Sequence, residues 1–172
     1  MNNITIILFF LFPITIVSQS SKKITNKYLS DIQLQQSIIR GMKNSMGNLN
    51  KDFLPNKNTF SVAFGSCSSE NNDLPIFNNI VKHQPDLFIF LGDNIYGDTK
   101  NIDTLKNKYH KLSKKLSFQN LIKNVPVIAT WDDHDYGWND VGKNYILKEE
   151  SKEVFLDFFG ESDSSVRRIH EG

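Results

Sequence analysis

The run LFIFL, Leu87 to Leu91, has no polar residue on either face that a strand presents. Successive side chains of a strand point to opposite sides, so this run is stable only where both sides are covered. It follows Pro85 and Asp86 and ends at Gly92 and Asp93, residues that turn a chain. The stretch TFSVAFGSC reads as a buried strand ending at Gly65, and VPVIATWDD reads as a third strand. Helical patterns separate and follow them. DLPIFNNIVKH has Asp73 as N-cap, Pro75 in the first turn, and Ile76, Phe77 and Ile80 on one face. Lys100 to Phe118 reads as one helix with Leu105, Tyr109 and Leu112 inward, and Asn144 to Phe159 as a last helix stopped by Gly160. Strand, helix, strand, helix, strand with strands apolar on both faces implies a parallel α/β sheet.

The chain has 172 residues, enough for one domain with a real core. Three segments divide it. Residues 1–20 have the length and polarity of a secretory signal, with an apolar run from Ile4 to Val17, small residues Ser18, Ser20 and Ser21 near a cleavage point, and no Lys or Arg before the run. A buried N-terminal strand or a signal anchor is the competing reading. Residues 21–58 read as linker and helix, with Ser30 as N-cap and Leu34, Ile38 and Met42 recurring every fourth position as far as Met46. Residues 59–172 carry the sheet. A net charge of +1 gives no strong pull toward nucleic acid or an anionic membrane, so membrane contact is expected only in transit through the signal.

In open parallel sheets the crevice lies at the carboxyl ends of the strands. Each of the three strand ends carries unusual chemistry. Cys67 follows the first. Asp93 and Tyr96, in GDNIY, follow the second, and DDHD, Asp132 to Asp135, follows the third. Asp93 reads either as a turn residue or as a ligand. A carboxylate and a phenol are oxygen donors suited to hard cations. The acidic loop reads either as solvated, with Trp131 and Trp138 packed as core, or as metal-bound, since crowded carboxylates stay ionised cheaply only in water or around a cation. Cys67, the single cysteine, is a small buried residue, an intermolecular pair or a thiolate ligand.

FGSC, LGDNIYGD and VPVIATWDDHDYGWND together, in this order, resemble the consecutive motifs of the PhoD-like alkaline phosphatases, a branch of the calcineurin-like metallophosphoesterases. The resemblance runs from about Phe60 to Gly172. It implies the N-terminal half of a metallophosphoesterase-type α/β sandwich, βαβαβ, with metal ligands at the carboxyl ends of the strands. It further implies a two-metal centre, ferric iron plus a divalent ion (calcium, or zinc or manganese), at which a metal-activated water hydrolyses a phosphate ester. By the same resemblance, Cys67 and Tyr96 would bind the first metal, Asp93 would bridge the two, and Asp133 would bind the second, with Asp132 as the reserve should the alignment slip by one. His134 would contact phosphate and protonate the leaving oxygen. The usual first-strand Asp-x-His is replaced by GSC, so the Asp ligand there is absent.

The expected function is therefore an exported, periplasmic or extracellular phosphatase or phosphodiesterase. Purple acid phosphatases share Gly-Asp-x-x-Tyr but keep Asp at the first strand and Asn-His at the third. Two further readings stand beside these: a non-catalytic truncated remnant that binds metal or phosphate, and a module whose acidic loop takes calcium alone. After His134 the sequence offers only His170, in no ligand block, so it reads as an N-terminal fragment with little activity of its own.

Overall fold

A computed structural model describes residues 3–8 and 59–170. The helix expected over 30–46 and its linker lie outside the described residues.

Four strands form one parallel sheet in the order β1-β2-β3-β4: β1 Asn3–Leu8, β2 Thr59–Gly65, β3 Leu87–Leu91 and β4 Val127–Thr130. β1 lies within the segment read as a leader and pairs with β2 from Asn3↔Thr59 to Leu8↔Phe64. Phe64 pairs with Ile89, which in turn pairs with Ile128. This register sorts the side chains into two faces. Ala63, Phe88, Phe90, Val127 and Ala129 are buried on one. Phe64, Ile89 and Ile128 are half-buried on the other, where Leu91 is 43% exposed. The strand sequences imply cover on both faces; among the described residues the helices close one face and the other stays half-buried.

The buried face meets α1 Ile76–His83, α2 Ile102–Ser113, α3 Leu116–Asn124 and α5 Lys148–Phe158. Phe77 of α1 makes edge contacts with Phe88, Phe90 and Phe118 at 6.2, 5.8 and 6.2 Å. Phe90 reaches Phe159, just beyond α5, at 5.6 Å. Burying each such ring contributes roughly 1.5–3 kcal/mol, so this aromatic cluster dominates the core.

Three helix boundaries differ from the sequence reading. Pro75, not Asp73, is the N-cap of α1, and no side chain caps it. Asp73 is fully exposed; its carbonyl instead accepts from the Ser117 hydroxyl at 2.7 Å. The single helix expected from Lys100 to Phe118 is two, because the chain leaves helical geometry at Lys115, whose ψ is 123°. Asn101 caps the first of these, its side chain accepting from Thr104 N at 2.9 Å. The last helix begins at Lys148 rather than Asn144, after a turn closed by Tyr145 N to Gly142 O at 2.8 Å, and Gly160 ends it with φ 73°.

Two short elements complete the described chain, α4 Asp133–Tyr136 and α6 Val166–Ile169. α6 brings Arg167 to the outer edge of β4. Its guanidinium donates to Ala129 O at 3.0 Å, pairs with Glu161 at 2.7 Å and lies 5.2 Å from the Trp131 ring centroid. It covers a carbonyl that an open sheet edge would otherwise leave unpaired.

Candidate metal centre

The loops after β2, β3 and β4 meet at one rim. Backbone bonds zip the first two together: Cys67 N donates to Gly92 O at 3.2 Å and Ser68 N to Asp93 O at 2.8 Å. The Ser68 hydroxyl adds a bond to Asn94 O at 2.8 Å. The third loop closes on them through glycine. A side chain on Gly92, whose φ is +104°, would strike Asp132 Cβ at 2.6 Å. One on Gly97 would strike His134 O at 2.5 Å, the same carbonyl to which Gly97 N donates. These two glycines set how near the loops can come.

Cys67, Asp93, Asp98 and Asp140 hold positive φ angles of 61°, 49°, 43° and 61°, as Leu74 and Gln84 do away from the rim at 52° and 48°. Such angles are uncommon outside glycine, and aspartate adopts them more readily than most residues.

The rim gathers the sequence-derived candidates. Asp93, Asp133 and His134 each offer a ligand atom, all within 4.8 Å of one another. Cys67 Sγ lies 3.6 Å from Asp93 Oδ2. The Tyr96 ring sits 4.4 Å from the His134 ring. Asp93 Oδ1 is buried and has no hydrogen-bond partner. Burial, with Asp133 and Asp132 nearby, raises its carboxyl above the usual carboxylate range, and His134 works the other way. Burial followed by the Cys67 contact likewise raises the Tyr96 phenol. An orphaned carboxylate oxygen beside a thiol, a phenol, a second carboxylate and an imidazole is a donor set that suits a cation.

The two adjacent acids of the third loop have different work. The Asp132 side chain caps α4, accepting from Asp133 N at 2.9 Å, while Asp133 turns into the cluster. The expected strand VPVIATWDD ends at Thr130, and α4 begins at Asp133 because this capping box starts a helical turn there. Asp133 also accepts from His134 N at 2.9 Å and from Asp140 N. Trp131 packs on Phe155 at 5.0 Å, but Trp138 is 48% exposed and does not belong to the core. It borders an open cleft of about 1080 Å³ beside Asp98, together with Lys143, Tyr145 and Ile146.

Residues 62–157 match the family model of PhoD-like phosphatases. The chain belongs to that family. No curated protein and no solved structure matches it. PhoD-like phosphatases are metal-dependent and act on phosphate esters, so membership gives this chain a phosphatase-type function in general.

Of the further groups that build this PhoD-like rim, Asp98 and Glu70 are not candidates in the sequence reading, and Asp135 appears there only within the acidic DDHD run. Asp98 Oδ1 lies 2.9 Å from His134 Nδ1. Asp135, 1% exposed, is the knot behind the cluster. Its carboxylate accepts from Asn94 N at 3.1 Å, Asn94 Nδ2 at 3.1 Å, Asp132 N at 3.1 Å and the Tyr109 hydroxyl at 2.6 Å. Burial pushes the Asp135 carboxyl up to about 7, while these donors pull it down. Glu70, also 1% exposed, accepts from Tyr96 N at 3.0 Å. Asp98 carried a signal, as the second acid of GDNIYGD. Glu70 carried none, since nothing in SCSSENN marks that carboxylate as buried.

Proposed function

We propose that this chain supplies the metal-binding rim of an exported phosphoesterase with a two-metal centre. The observation that carries the reading is the buried, unpartnered Asp93 Oδ1 in a cluster with Asp133 and His134. Cys67 and Tyr96 would hold one cation, ferric iron, and Asp133 the other, a divalent ion, with Asp93 shared between them. When bound, the pair supplies a nucleophilic water at neutral pH and neutralises charge on the phosphoryl oxygens.

The chain's own residues do the rest. Asp98 fixes the His134 ring through Nδ1, which leaves Nε2 to present a proton to the leaving oxygen. The Tyr96 ring, tilted 51° against the imidazole at 4.4 Å, limits how far the imidazole can swing. The cleft beside Asp98 has room for the organic portion of the ester. Monoesters and diesters both fit this chemistry.

The test is metal binding and turnover by the purified 172-residue chain. Iron(III) and divalent ions should bind in the wild type and bind much more weakly in Asp93→Ala. Turnover of p-nitrophenyl phosphate and its bis ester should be negligible, because four protein ligands leave two cations short of the four to eight donors each takes. Equal binding by Asp93→Ala would sink the metal reading. Robust metal-dependent turnover would show that these four ligands suffice.

Export belongs to the same proposal and rests on the apolar run from Ile4 to Val17 and its polar exit. The mature protein is expected to begin near Ser18 to Ser21. Recovery of an intact Met1 to Val17 segment by mass spectrometry from the producing cells would count against cleavage and favour β1 as a permanent strand.

A further inference from the structure

Tyr96 lies in a stretch with no regular secondary structure, so neither of its backbone polar groups has a ladder partner. Both are nevertheless held, and by charged side chains. Its N–H donates to Glu70 Oε2 at 3.0 Å, and its carbonyl accepts from Lys108 Nζ at 2.5 Å. The two side chains also face each other, with Lys108 Nζ 3.5 Å from Glu70 Oε1. Asn71 Nδ2 donates to that same oxygen at 3.0 Å, and Lys111 Nζ holds Asn71 Oδ1 at 2.6 Å. A buried carboxylate is expensive unless its oxygens are used, and here each has a donor.

We propose that Glu70 and Lys108 are positioning residues that clamp the Tyr96 backbone, so that its phenol oxygen meets the cation held by Cys67 and Asp93. The inference rests on the reading of Tyr96 as a ligand. The clamp spans three parts of the fold. Glu70 follows Cys67 by three residues, Tyr96 follows Asp93 by three, and Lys108 projects from α2. One ion pair thereby fixes the thiol-bearing loop and the phenol-bearing loop to the same helix. Charge-assisted bonds are about twice as strong as neutral ones, which suits a loop that has no ladder to stiffen it. A side chain can pivot only about its own bonds, so placing the Tyr96 backbone limits where its oxygen can lie.

The experiment titrates iron(III) into the wild-type chain, Tyr96→Phe, Glu70→Ala, Glu70→Gln and Lys108→Met, reading the visible phenolate-to-iron band and iron affinity. Urea unfolding of each metal-free protein runs in parallel. Glu70→Ala and Lys108→Met should shift or weaken the band and lower affinity by about 10–100-fold, the usual cost of losing a group that orients a ligand. Glu70→Gln keeps an acceptor for Tyr96 N–H and should recover most of the band. Should Glu70→Ala fail to fold, Lys108→Met decides alone, since that side chain is partly solvent-exposed on a helix. Wild-type band and affinity in Lys108→Met would overturn the clamp while leaving Tyr96 a ligand. A wild-type spectrum identical to that of Tyr96→Phe would remove the ligand reading first, and the clamp with it.

Discussion

Tyr96→Phe is expected to abolish or shift the visible absorption of the iron-loaded protein and to weaken iron binding, with the fold intact. A free tyrosine titrates at about 10 and is a neutral phenol at neutral pH. In the metal-free rim, burial and the neighbouring Cys67 and Asp93 push it higher still. Only a strongly charged cation next to the oxygen would make it a phenolate there, and that phenolate donates charge to ferric iron on absorbing visible light. The substitution keeps the ring against His134 and removes one oxygen. Affinity should fall by more than the roughly 10–100-fold that loss of a merely supporting contact costs. The Cys67 thiolate contributes a band of its own, so colour alone does not identify the ligand, and the comparison must be made at equal iron loading. An iron-loaded Tyr96→Phe protein with the wild-type spectrum would make Tyr96 a rim aromatic and nothing more.

The largest loss of stability from one side chain at the rim is expected from Asp135→Ala. Two effects oppose each other. Removing a buried carboxylate relieves the cost of holding it away from water, which raised its pKa in the first place. Against this, four donors that converge on it stay behind: Asn94 N, Asn94 Nδ2, Asp132 N and the Tyr109 hydroxyl. Each unpaired buried donor costs about 1–3 kcal/mol, so the four together cost roughly 4–12 kcal/mol, from which the relief is subtracted, and the net loss should be a few kcal/mol. That is a large fraction of the whole stability of a small domain. Asp135→Asn keeps the volume and one acceptor oxygen and should lose less. Urea unfolding followed by circular dichroism ranks the three proteins. Asp135→Ala unfolding at the wild-type midpoint would mean that the two loops hold together without the knot.

The sequence made the sheet and the contents of its rim legible for a simple reason. LFIFL is apolar on both faces, which marks a strand of a parallel sheet, and such a sheet has its crevice at the carboxyl ends of its strands, where the residues are few enough to name. Cys67, Asp93, Tyr96 and the DDHD run follow from that, the choice of Asp133 and His134 within the run comes from the resemblance to PhoD-like phosphatases, and the structure brings these residues to one rim. What stayed hidden depends on long-range contacts. Glu70 and Lys108 look like ordinary surface charges until the fold brings them to Tyr96. Asp135 looks like one more acid near Asp133, because positions two apart in a helical turn face different ways and the sequence does not say which faces in. The break at Lys115 is invisible in the pattern because the inward residues on either side, Leu112 and Phe118, are both buried and the apolar spacing runs on across it. Asp73 has the residue type of a cap, but Pro75 occupies that place in the structure.

Lys108 and Tyr109 are neighbours on α2, yet Lys108 grips the Tyr96 backbone and Tyr109 the Asp135 carboxylate. Neighbours on a helix point about 100° apart, which is how one element can serve two loops at once. Both grips therefore depend on the phase of α2, counted from its cap at Asn101. Gaining or losing one residue between Asn101 and Lys108 would turn both side chains by about 100° and slide them by about 1.5 Å. Asp103, Lys106 and Asn107 on the same stretch are exposed, and replacing them leaves that phase alone. Homologous chains should therefore differ freely at these exposed positions and hardly at all in the length of the stretch.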